Sequence, residues 1–173
     1  MASKKLNLGL IEESVSKYDK KERVQLTDDV HVFIYPYFSP TRLTKMLTEL
    51  ITDPQNAQEK NIDFKSINPV QWGFFSLIKE FTDLGIPSDI KNKVKWFVKL
   101  VDSEFFPLII SSFPEESMKK FGEATKMMQE NLDKLSNISP EEINDLILNK
   151  VEEIENEQEA ENGQEHKRNS STN

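Results

Sequence analysis

A mainly α-helical fold with one N-terminal β-hairpin and a disordered acidic C-terminal tail is what this sequence predicts, on three observations. Apolar residues recur at three- and four-residue spacing through most of the chain, the mark of helices with one buried face. Strict alternation occurs convincingly in a single stretch, RVQLTDDVHVFIYPYF over 23–38. Beyond Glu155 the periodicity disappears into NEQEAENGQEHKRNSSTN, which holds too little apolar surface to offset the entropy of ordering. The expected organisation is a flexible segment 1–22, a helical body with the hairpin over 23–135, an amphipathic helix over 136–155 and the acidic tail 156–173.

The stretch 69–110 anchors the body, with both tryptophans and six of the eleven phenylalanines. Val70, Phe74, Leu77, Ile78, Phe81 and Leu84 share one helical stripe, and Trp72 and Phe75 widen it. Only Ser76, Lys79, Glu80 and Asp83 remain as a narrow polar edge, so this helix should be central and covered on several sides. Asn68 suits its N-cap, Pro69 its first position and Gly85 a left-handed stop. Pro87 prevents continuation and Ser88 can cap a second helix, whose apolar face is read as Ile90, Val94, Phe97, Val98, Val101 and Phe105, with Trp96 and Leu100 beside it. The short link 86–88 makes the two an αα-hairpin, with Trp72, Phe74, Phe81, Phe97 and Val101 buried together.

Around this core the other elements follow in order. Leu6, Leu8 and Leu10 alternate as in a strand, while 12–21 is polar enough for a frayed helix or linker. In the hairpin, Thr27, Asp28 and Asp29 supply turn chemistry and Pro36 ends the second strand or confines it to an edge. A helix opens at Ser39-Pro40 with Leu43, Met46, Leu47, Leu50 and Ile51 on one face, and Asp53-Pro54 closes it. The segment 54–67 is long for a bare loop, which signals function or a hidden helical turn, with Ile62, Phe64 and Ile67 as anchors. A short helix interrupted by Pro107 is expected over 105–113. Ser112 and Glu115 form a capping-box pattern opening a long helix with Met118, Phe121, Thr125, Met128, Leu132 and Leu135 as a seam, packed on the body or on another chain. Ser139-Pro-Glu-Glu142 opens the last helix, with Ile143, Leu146, Ile147, Val151 and Ile154 along one side.

Chemistry is harder to find. The net charge of −8 argues against a nucleic-acid binder, since phosphate-dominated affinity needs a basic surface. The absence of cysteine removes disulfides and thiolate chemistry and suits a reducing cytoplasm. No apolar run is long enough to span a membrane. His31 lies in a strand and His166 in the tail, neither with a metal-spaced partner. Neither a Walker loop, a nucleophile elbow nor a dinucleotide fingerprint is present, so no enzyme, cofactor or metal is expected. Lys91, Lys95 and Lys99 form a basic ridge, either a solvated face or a docking patch for an acidic partner. From physics alone the reading is a binding module.

The segments VFIYPYFSPTRLTKMLTEL, FFSLIKEFTDLGIP and DSEFFPLIISSFPEESMKKF together resemble the tail assembly chaperones of long-tailed phages and prophages of low-GC Gram-positive bacteria, in element order and aromatic spacing over 23–135. The resemblance implies a protein of the host cytoplasm that coats the tape measure protein until tail tube subunits polymerise, then leaves, and is absent from the mature virion. It also implies contact with the tail tube protein or self-association, and family members often exist in two lengths. Two other classes compete: a connector protein retained in the virion and a host-directed regulatory adaptor. A client helix needs accessible apolar surface, for which the candidates are the aromatic rim Tyr35, Tyr37 and Phe38 and the C-terminal stripe Ile143, Ile147, Val151 and Ile154. The same stripe could instead close the helical body.

Overall fold

In the computed structural model, which describes residues 5–137, the body begins with two antiparallel strands, β1 (Glu22–Gln25) and β2 (His31–Ile34). Val24 pairs with Val32 and Glu22 with Ile34, and both Leu26 and Thr27 donate their amides to the Val30 carbonyl across the turn. Val32 and Ile34 point inward while His31 is exposed. A lone hairpin is marginal in water. Here it is extended: Ile34 bridges Thr82, the Tyr35 amide donates to the Phe81 carbonyl at 2.9 Å, and the Asp83 amide donates to the Phe33 carbonyl at 3.1 Å. Before β1, residues Leu8–Val15 form helix α1 and Ser16–Asp19 a 3₁₀ turn, which settles the N-terminal ambiguity in favour of helix. Asn7 caps α1 by accepting from the Leu10 amide at 3.0 Å, and no residue of α1 is buried.

Helix α2 (Pro40–Glu59) corrects the expected stop at Asp53-Pro54. A proline inside a helix loses a hydrogen bond and crowds the preceding turn, at about 3 kcal/mol. The turn is held all the same, because Asp53 and Ala57 on its inner side are 2% and 0% exposed while Pro54 faces out. The apparent loop 54–67 thus hides a helical turn, and Ile62, Phe64 and Ile67 pack on the core as expected.

Helix α3 (Pro69–Phe81) is central. Asn68 caps it, its side chain accepting from the Val70 and Gln71 amides. Phe75, Leu77, Ile78 and Phe81 are fully enclosed, and Trp72 meets Phe64, Phe75 and Phe97 with ring centroids 4.8–5.1 Å apart. Of the residues expected to share the core, Trp72, Phe81 and Phe97 are buried, while Phe74 and Val101 are partly so. Val70 is exposed and does not belong to the stripe. The helix also ends earlier than Gly85: Thr82 turns extended to bridge Ile34, and Gly85 takes its left-handed backbone (φ 65°) in the bend that follows.

Helix α4 (Ile90–Val101) is capped by Asp89, which accepts from the Asn92 amide, and not by Ser88. Its buried face is Ile90, Lys93, Phe97 and Leu100, so it is rotated from the expected one, leaving Trp96 and Val98 exposed. Helix α5 (Phe105–Ser111) accommodates Pro107 in its first turn, where amides lack helical partners anyway. Helix α6 (Glu115–Asn137) starts without the capping box, because its first turn closes on the Pro114 carbonyl and Ser112 lies before the cap position, its hydroxyl donating back to the Leu108 carbonyl. Phe121 is buried on its inner face and Met118 and Ala124 pack beside it. The chain divides into two units, Met1–Met128 and Gln129–Asn173, and the described part of the second is the end of α6. The expected helix over 136–155, past Asn137, and the tail 156–173 lie outside the described residues.

Candidate protein-binding surface

The aromatic rim grows directly out of the hairpin. Extended backbone after β2 makes successive side chains alternate, so Pro36 and Phe38 turn inward while Tyr37 turns out. Tyr37 is 41% exposed and Tyr35 half-buried. Phe38 corrects the sequence reading: it is 2% exposed, stacked on Phe81 at 4.1 Å and edge-on to Phe113 at 5.3 Å, so it anchors the rim from below and offers nothing to a partner. The Ser117 hydroxyl donates to the Pro36 carbonyl from α6 and ties the rim down from a second side. The Arg42 guanidinium lies 4.1 Å over the Tyr35 ring, and Lys21 approaches the same ring at 5.3 Å. Cations over a ring face fix its orientation.

Arg42 also bonds Glu80, through the carboxylate at 3.0 Å and through the backbone carbonyl, and Lys45 reaches the other carboxylate oxygen at 3.1 Å. Glu80, on the polar edge of α3, is therefore turned toward α2 and neutralised there. Its neighbour Lys79 pairs with Glu49 at 3.0 Å. Lys93 of α4, 1% exposed, completes the set by donating to both oxygens of Asp53 and to Glu49. The Trp72 indole donates to Asp53 at 3.3 Å. Burial pushes the Glu49 carboxyl up, but the hydrogen bonds and charges of Lys93 and Lys79 outweigh it and hold that carboxyl below the ordinary glutamate range. Pattern reading places lysine on solvated faces and misses this set. The signal that could have found it is Lys93 inside the apolar spacing Ile90, Phe97, Leu100, opposite the Glu49/Asp53 pair one turn apart on α2.

The exposed side of α4 carries a cleft of about 520 Å³ floored by Trp96, Leu100 and Phe105 and edged by Lys95 and Lys99. The remaining candidates, Ile143, Ile147, Val151 and Ile154, lie outside the described residues. Among the described residues no group of three or more His, Cys, Asp or Glu side chains could hold a metal ion, and no helix is long and apolar enough to cross a membrane.

An aromatic core sealed by buried ion pairs, with a fixed tyrosine rim and an apolar cleft outside it, defines a small helical protein with a hairpin and the surfaces of a binding module. A model of the YomO family matches residues 8–162, and the chain is 73% identical over 155 residues to the SPbeta prophage-derived uncharacterized protein YomO of Bacillus subtilis (strain 168), covering 90% of this chain and 93% of that protein. The chain belongs to the YomO family and is phage-related. No solved structure matches it.

Proposed function

We propose that this phage-related protein is a tail assembly chaperone, which binds the tape measure protein in the host cytoplasm and keeps it soluble until the tail tube polymerises around it. The observation that carries this reading is the rim: Tyr37 stands in solvent beside Tyr35, on backbone held from beneath by Phe38, Phe81 and Phe113. Rigid, half-exposed tyrosines give contact area at low entropic cost, which suits capture of a long amphipathic helix. The prophage origin of the relative YomO and the net charge of −8, which favours solubility of a coated client, support the same role. The C-terminal stripe Ile143, Ile147, Val151 and Ile154 supplies a second apolar contact by its sequence spacing.

Co-expression with the tape measure protein encoded by the same phage tests the reading. The client should stay soluble and co-purify, and mass spectrometry of purified virions should find none of this chain. A client that is soluble without it, or a stoichiometric presence in virions, rejects the chaperone role, and the second result favours a connector.

A further inference from the structure

The α4 cleft has an apolar floor but a cationic edge, in a chain that is otherwise strongly acidic. Trp96 is 38% exposed, Phe105 half-buried and Leu100 nearly covered, so the floor is apolar and wide enough for one or two anchoring side chains. Lys95 and Lys99 stand exposed along it with Lys91 one turn before, and among the described residues none of the three has a carboxylate within ion-pair distance. By contrast Arg42 and Lys45 of α2, Lys79 of α3 and Lys93 on the buried face of α4 all hold carboxylates. An exposed tryptophan between unpaired cations fits an acidic segment with apolar anchors.

The chain itself contains such a segment. Residues 139–155 carry Ile143, Ile147, Val151 and Ile154 at spacings of three and four, and their charges are Glu141, Glu142, Asp145, Glu152, Glu153 and Glu155 against Lys150 alone. We infer that the cleft of one copy receives the 139–155 segment of a second copy. Each copy then offers both a cleft and a segment, and two copies that exchange segments make the contact twice, closing as a two-fold pair. Carboxylates meet Lys95 and Lys99, and isoleucines meet Trp96 and Phe105. The same stripe is the client's second contact in the proposed function, so the pair is the form taken without a client, and it stands whether or not that client is a tape measure protein.

Sedimentation velocity of the full-length protein across a concentration series tests it. The weight-average mass should rise from one copy toward two, and the association should weaken in high salt as the charged rim is screened. Trp96→Ala, and separately Lys95→Glu with Lys99→Glu, should each weaken it about tenfold or more, with circular dichroism unchanged because these side chains are exposed. Glu152→Lys with Glu153→Lys should weaken it in the same way, and placing both charge reversals in one chain should restore it. A synthetic peptide of residues 139–155 added in excess should return the wild type to single copies. A mass of one copy at every concentration, an association indifferent to the Trp96 and lysine changes, or no restoration in the doubly reversed chain overturns the inference.

Discussion

Lys93 Nζ lies 2.8 and 2.9 Å from the two oxygens of Asp53, with both side chains almost completely removed from solvent. One residue comes from α4 and the other from α2, and the Trp72 indole of α3 donates to the same carboxylate, so a single ion pair fixes three helices in register. Burying two charges is costly, and such a pair need not add net stability over an apolar one. Removing one partner is different, because the other is left charged and unmatched.

Asp53→Ala is therefore expected to destabilise the fold by about 3–5 kcal/mol, since it strands the Trp72 N–H and leaves the buried Lys93 with Glu49 as its one carboxylate, which Lys79 also shares. Lys93→Met should cost less than Asp53→Ala, because Asp53 keeps the indole and Glu49 keeps Lys79. Urea melts of the two single variants and the double variant measure the coupling. A loss under 1 kcal/mol for Asp53→Ala would contradict the pairing.

Acid should weaken the same junction in a defined direction. The Glu49 carboxyl is held below its ordinary value by Lys93 and Lys79, so its contribution is present at neutral pH and disappears as pH falls through the lowered folded-state value. Glu49→Gln should lower stability at pH 7 and flatten the decline on the acid side. Melting temperatures of both proteins from pH 7 to 3 provide the check, and parallel curves would remove Glu49 from this role.

The limits of pattern reading are clearest at this junction. Helices were legible because propensity, caps and apolar spacing are local, as Asn68-Pro69 and the α3 stripe illustrate. The hairpin was legible because alternation over Val30, Val32 and Ile34 is local too. Glu80 and Lys79 were legible as a narrow polar edge but their pairing was not, and Lys93 went unread, because the partners that permit their burial lie 30 to 44 residues away. Pro54 and Gly85 misled for a related reason: tertiary contacts carried α2 through its proline and stopped α3 before its glycine. On the rim, Tyr37 was legible as surface and Phe38 was not, since only the folded chain shows Phe81 and Phe113 closing over it.

Pro54 offers a stabilising substitution. Its ring faces solvent inside α2, so Pro54→Ala restores a helical amide and removes the clash with the preceding turn. Part of that gain is offset by a more flexible unfolded chain. A net increase of about 1–2 kcal/mol, seen as a higher melting temperature, is expected. A lower one would mean that the proline sets a bend on which the Asp53–Lys93 geometry depends.

The rim separates folding from binding within two adjacent residues. Phe38→Ala removes a ring stacked on Phe81 and edge-on to Phe113 and should cost about 3–5 kcal/mol, enough to threaten a typical domain. Tyr37→Ala removes a ring that is 41% exposed and should change stability by less than about 0.5 kcal/mol. If the rim holds a client helix, Tyr37→Ala should cut retention of the tape measure protein in co-purification while melting stays at the wild-type temperature. Tyr37→Phe should retain most binding, because ring area and not the hydroxyl makes the contact. Undiminished retention by Tyr37→Ala would take the rim out of the binding surface and leave the C-terminal stripe as the remaining candidate. A melting temperature that falls with it would show that Tyr37 supports the fold, and its loss of binding would then say nothing about contact.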